Sequence, residues 1–211
     1  MRRGDSPVAE LPREWFERPT AEVARDLVGC ALVVDAGTPG AVVARIVETE
    51  AYLGAGDPAS HAFRGPTPRS RVMFGPAAHL YVYFTYGMHH CANVVTEADG
   101  VAGAVLLRAA AVEEGLATIA MRRGPGLTGA ALLRGPGNLC RGLAITRADD
   151  SIDLLDPASR IHIDQRTVAP PIVIGTRVGL RHAAERLLRF SWRGDPAVSR
   201  PVPRDQGEAA P

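Results

Sequence analysis

"AVVARIVETEAYLG", Ala41 to Gly54, opens like a buried strand and then turns charged. Val42, Val43, Ile46 and Val47 favour extended backbone on a covered surface. The run continues Glu48, Thr49, Glu50, Ala51, Tyr52. Strand side chains alternate between faces, so Glu48, Glu50 and Tyr52 project the same way. Two carboxylates and a phenol on one face of an apolar strand need a reason to be there.

Working outward, "ALVVD" (31–35) reads as a partner strand joined through the turn "AGTPG". Before it, "PTAEVARDLVGC" reads as a short helix, with Thr20 as N-cap, Glu22 in the first turn and Gly29 at the C-terminal cap. Beyond it lies a long loop, Gly54 to Pro76, rich in Gly, Pro, Ser and Arg. A loop of that length in a compact domain points to function. "HLYVYFTYG" and "MHHCANVVT" read as two strands with Tyr86-Gly87 at the tip. "AVLLRAA" is a further strand, "VEEGLATIAMRR" a helix, and "GPGNLCRGLAI" a helix opened by Gly-Pro-Gly. "PIVIGTRVGL" and "LLRFSWRG" are the last strands. Strands and helices do not alternate regularly, which favours α+β with a mixed sheet over a doubly wound fold. One domain is expected over residues 14–200, between loose tails at 1–13 and 201–211.

Composition sets the class. The chain has 211 residues, 46% hydrophobic and 22% charged, as in soluble globular domains. The best apolar run, "VAGAVLLRAAAV", is broken by Arg108 and is too short to span a membrane. The N-terminus lacks an apolar signal region. Three widely spaced cysteines suit a reducing compartment, so a cytoplasmic location is expected. All 24 basic residues are arginine. A GC-rich coding bias explains this, but the consequence stands: no lysine can form a Schiff base. The net charge is only +1, yet residues 58–96 and 115–148 contain no acid. The first window holds Arg64, Arg69 and Arg71, the second Arg141. Such clustering is the footprint of a polyanion binder, with these four as candidate DNA-backbone contacts, although a solvated basic face would look the same.

The four tyrosines, Tyr52, Tyr81, Tyr83 and Tyr86, fall in two short segments. Tyr81 reads as a core residue with a satisfied hydroxyl. Tyr86, beside Gly87, reads as an exposed ring able to stack on bases or wedge between them. Glu50 is a candidate general base. Arg108 is a charge inside an apolar strand and calls for a carboxylate partner. Asn93 is a candidate donor into the same cleft, or a sheet residue. "GPGLTG" (124–129) matches GxGxxG, but no strand precedes it, which argues against a dinucleotide site. His61, His79, His89 and His90 have no metal-ligand spacing.

Together these residues resemble the alkyladenine (3-methyladenine) DNA glycosylases of the alkylpurine-repair type, from about Trp15 to Ser199. The likeness is carried by "RIVETEAYLG", "HAFRGPTPRSRVMF", "LYVYFTYGMHHCANVV", "GAVLLRAA", "GPGNLCRGLAI" and "RVGL…RF…RG", in that order. The resemblance implies a compact α+β domain with a curved, mainly antiparallel sheet, flanking helices and a protruding hairpin. It implies monomeric action on double-stranded DNA containing damaged purines, with no cofactor or metal. It implies Glu50 as general base, Arg108 holding the catalytic water, and Tyr52, His61 and Tyr83 walling the base pocket. Asn93 then excludes normal guanine, and Tyr86 fills the gap left by the flipped nucleotide. Asn138 stands where relatives often carry a basic residue. Glu48 is expected to be structural and paired with an arginine. The competing classes are a DNA-binding module without catalysis and a metal-dependent hydrolase built on the histidines.

Overall fold

The computed structural model describes residues 11–127, 129–166 and 169–201. The stretch around Glu50 is the spine of its sheet. β1 (Ala31–Val34) runs antiparallel to β2 (Val42–Leu53), with Ala31 opposite Arg45 and Val34 opposite Val42. β2 is long enough to take three partners. β1 pairs with its first third, β8 (Arg189–Trp192) with Glu48–Glu50, and β5 (Gly103–Glu114) with the opposite edge. The hairpin of β3 (Leu80–Thr85) and β4 (His89–Val95) joins the sheet through β5. β6 (Ile161–Asp164) lies beyond β1, and β7 (Ile172–Gly175) pairs with β8. The order along the main path is β3-β4-β5-β2-β1-β6. Every pairing is antiparallel, so the α+β class holds and the sheet is antiparallel rather than mixed.

Among the described residues four helices flank the sheet: α1 (Arg13–Phe16), α2 (Thr20–Leu27), α3 (Leu116–Arg123) and α4 (Pro136–Leu143). α2 buries Val23, Ala24 and Leu27 in the core that also holds Ile46, Val105 and Leu107. Full burial of such a valine, leucine or isoleucine contributes about 1.5–3 kcal/mol. The β2–β5 ladder slips on both sides of Glu48, between Ile46 and Glu48 and between Glu48 and Thr49. Such bulges bend strands and re-aim side chains, and here they surround the charged stretch.

The hairpin tip is as expected. Tyr86 and Gly87 both adopt positive φ (50° and 66°) and Met88 N donates to the Thr85 carbonyl at 3.2 Å, a tight turn inside a three-residue connection, since Thr85 pairs with His89. Glycine accepts that conformation freely, whereas tyrosine does so at a cost.

Several elements differ from expectation. Thr20 begins α2 but does not cap it; the distant Glu97 carboxylate accepts from Thr20 N and Oγ1, both at 2.7 Å. β5 continues through Glu114, so "VEE" is strand and the helix starts after Gly115. Gly115 sits at φ 77° with no room for a Cβ: one would lie 2.6 Å from the Ala41 carbonyl. α1 and β6 were not anticipated. Leu11 is buried and Arg13 pairs with Asp153 at 2.7 Å, so these residues, expected in the loose tail, belong to the folded body. Residues 1–10 and 202–211 lie outside the described residues. "GPGLTG" lies in the loop after α3, and its Thr128 is outside the described residues.

Candidate active site

Glu48 and Glu50 are fully buried and meet one cation. Arg108 lies 3.3 Å from Glu48 Oε1 through Nε and 3.5 Å from Glu50 Oε1 through Nη1. The carboxylate partner expected for Arg108 is thus a pair of carboxylates. Their other partners separate them. Glu48 accepts from Arg189 Nη1 at 2.9 Å and from Ser199 N at 2.7 Å, while Arg108 Nε donates to Ser199 Oγ at 3.0 Å. Glu48 is therefore locked into structure. Glu50 accepts from Val178 N at 2.8 Å and from the Tyr52 hydroxyl at 2.9 Å. Burial pushes its carboxyl above the ordinary range, opposed by Arg108 and by the Val178 and Tyr52 bonds. A buried carboxyl whose affinity for a proton is raised by burial, and whose charged form one shared cation and two donors still support, has the character of a general base.

In front of Glu50 lies a cavity of about 110 Å³ lined by Tyr52, Ala59, His61, Met73, Tyr81, Tyr83, Asn93, Ala104 and Leu180. Every residue predicted for the base pocket is on its wall. Glu50 is not; it stands behind Tyr52, one hydrogen bond from the wall. The His61 and Tyr83 rings meet edge-on at 4.7 Å, and Tyr81 and Tyr83 lie 5.5 Å apart. His61 Nδ1 is 3.0 Å from the Tyr81 hydroxyl, so Tyr81 is both a core residue with a satisfied hydroxyl, as expected, and a pocket wall. The His61 ring is enclosed by these tyrosines although the residue as a whole is exposed. Burial of the ring, with the Arg69 charge beside it, lowers its pKa to about 4, so it is neutral near pH 7. Burial likewise raises the Tyr52 and Tyr83 hydroxyls well above their usual range, so both stay protonated. Asn93 Nδ2 donates to the Tyr81 carbonyl at 3.0 Å, which fixes the amide at the pocket wall.

The long loop justifies its length: it carries Ala59, His61 and Met73 to the cavity. It is held by Asp57, which pairs with the fully buried Arg177 (Nη2–Oδ1 2.8 Å). Arg177 also stands over the Tyr52 ring at 4.7 Å and donates to the Ala51 carbonyl. Sequence reasoning assigned no role to Arg177, Val178, Arg189 or Ser199. The signal for the two arginines was available, since each, like Arg108, interrupts or adjoins an apolar strand segment. A backbone donor such as Val178 N leaves no trace in residue type.

At the far end of the sheet Tyr86 is 85% exposed. Arg64, Arg69, Arg71 and Arg141 are exposed too, but Arg69 is turned inward, its guanidinium 4.9 Å from the Tyr83 ring centroid. His89 packs against Gly137 of α4, where a Cβ would come within 2.8 Å of the imidazole, and His90 stacks with Phe84 at 5.0 Å. Asn138 donates to the Arg134 carbonyl at 2.7 Å.

The profile of the methylpurine-DNA glycosylase family matches residues 14–196, nearly all of the described chain. The chain belongs to the methylpurine-DNA glycosylase family. Curated relatives agree along most of their length. A Burkholderia lata protein is 43% identical over 210 residues, covering 97% of this chain and all of its own. A Methanocella arvoryzae protein is 43% identical over 198 residues, 92% of this chain and 98% of its own. A Mycolicibacterium fortuitum protein is 49% identical over 179 residues, 82% and 88%. All three are provisionally named 3-methyladenine DNA glycosylases. In this member of the family, the buried carboxylate lies at the centre of one antiparallel sheet and the hairpin that carries the exposed tyrosine at its edge.

Proposed function

We propose that this chain is a monofunctional glycosylase that extrudes 3-methyladenine, 7-methylguanine or hypoxanthine from duplex DNA and hydrolyses the N-glycosidic bond. The observation that carries the reading is the buried Glu50, held one hydrogen bond behind a tyrosine of a ringed cavity. A bond to a stacked base is unreachable inside a duplex, so the nucleotide must leave the stack. Tyr86, exposed at the tip, fills the gap, and the base enters between Tyr52 and Tyr83 with His61 at its edge. A cationic alkylpurine stacks well on aromatic rings and departs as a neutral base; hypoxanthine departs as an anion and takes a proton from solvent water. Water held between Glu50 and Arg108 attacks C1′: the oxygen–carbon bond forms, the carbon–nitrogen bond breaks, and Glu50 takes the proton. Arg108 favours the ionised form of Glu50 against its burial. With no lysine in the chain, water is the nucleophile and no strand-cleaving Schiff base follows. The enzyme works as a monomer on double-stranded DNA.

The test is incubation with duplexes carrying a single methylated or deaminated purine, with chelator present. Release of free base without strand cleavage is the expected result. Binding without release would mean a DNA-binding module, and loss of release with chelator would mean a metal-dependent hydrolase.

A further inference from the structure

Arg69 was grouped with Arg64 and Arg71 as a backbone contact, but its surroundings set it apart. Its guanidinium lies 4.9 Å from the centroid of the Tyr83 ring, which meets the His61 ring edge-on at 4.7 Å. Tyr83, Tyr81 and His61 all line the cavity, and Arg69 does not. Among the described residues it forms no ion pair. One positive charge without a carboxylate partner thus lies against a wall of the pocket from outside.

We propose that Arg69 is a specificity-determining residue of the base pocket, disfavouring a purine that enters as a cation relative to one that enters neutral. The inference rests on the glycosylase reading above. An aromatic face attracts a cation through its negative quadrupole. A guanidinium already seated on Tyr83 draws on that same density and repels a second cation brought to the ring.

The test uses Arg69→Met, which keeps an apolar stem without charge, in a Glu50→Gln background so that binding is read without turnover. Affinities are measured for duplexes with one 7-methylguanine, one hypoxanthine or no lesion. Arg69→Met is expected to shift the ratio toward 7-methylguanine by roughly threefold or more, while Arg69→Lys keeps most of the wild-type ratio. Equal weakening on all three duplexes, with the salt slope lower by about one, would make Arg69 a phosphate contact and overturn the proposal. Equal loss on both lesions with undamaged DNA unaffected would also overturn it, because Arg69 would then merely prop Tyr83. Base release by the wild-type protein, run in parallel, tests the glycosylase reading separately, since the binding ratio does not depend on turnover.

Discussion

The floor of the sheet and the tip of its hairpin hold opposite kinds of unfavourable surface. At the floor, Glu48, Glu50, Arg108 and Arg189 are buried, and every charge is answered by another or by a backbone group. At the tip, Phe84, Tyr86 and Met88 are 48%, 85% and 69% exposed. The floor puts charge where water is scarce, and the tip puts apolar surface where water is plentiful. The floor is completed by the protein's own groups; the tip has no such cover among the described residues. Tyr86 adds backbone strain to exposure, and residues held in sparse φ regions cluster at functional sites.

The largest effect should come from breaking the floor at its structural carboxylate. Glu48→Ala strands Arg189 and leaves Ser199 N without its acceptor. Removing one partner of a buried ion pair costs about 3–5 kcal/mol. Urea unfolding should show that loss as a lower midpoint with an unchanged slope; a change under about 1 kcal/mol would mean the cluster relaxes freely. Next comes the titration of its neighbour. Burial lifts the Glu50 carboxyl, and a general base works only deprotonated. Single-turnover excision should therefore fall as pH drops, roughly tenfold per unit below that pKa, with the limb above the range of an exposed glutamate. His61 stays neutral down to about 4 and does not contribute near pH 5. A rate that is flat from pH 7 to 5 would remove Glu50 from the role.

Legibility in the sequence follows the same division. Alternation placed Glu48, Glu50 and Tyr52 on one face, and an arginine within an apolar strand announced an ion pair. The Tyr86-Gly87 turn was written in glycine. What escaped reading was set by long-range geometry. Glu97 caps a helix whose first residue lies 77 positions earlier. Val178 reaches Glu50 across 128 positions through a backbone N–H that any residue but proline supplies. β6 is four residues long and gains its place only by pairing with β1. The boundary after Glu114 turned on the Ala41 carbonyl crowding Gly115, a contact invisible from either segment alone. Arg69 looked like its neighbours in sequence and differs only in what it covers.

The tip should respond less than the floor, and only in recognition. Tyr86→Ser should lose about 1–3 kcal/mol of stacking, roughly fivefold to over a hundredfold in lesion discrimination, with non-specific affinity nearly unchanged. A fluorescent base analogue beside the lesion reports flipping directly; flipping as complete as in wild type would make Tyr86 a surface residue, and equal loss of both affinities would make it general docking surface. The smallest effects belong to the exposed arginines. Arg64→Ser, Arg71→Ser and Arg141→Ser should each lower the salt slope of binding by about 0.9 and weaken all duplexes alike. A variant that changes lesion preference instead belongs to the pocket.

Single-turnover base release by Glu50→Gln, measured beside its affinity for the same lesion duplex, tests the division between floor and tip most directly. Glutamine keeps the shape and the acceptor for Val178 N but cannot take a proton from water. The account predicts lesion binding within a few-fold of wild type and excision slower by roughly 10²–10⁴. Excision within threefold of wild type would contradict it and place the base elsewhere.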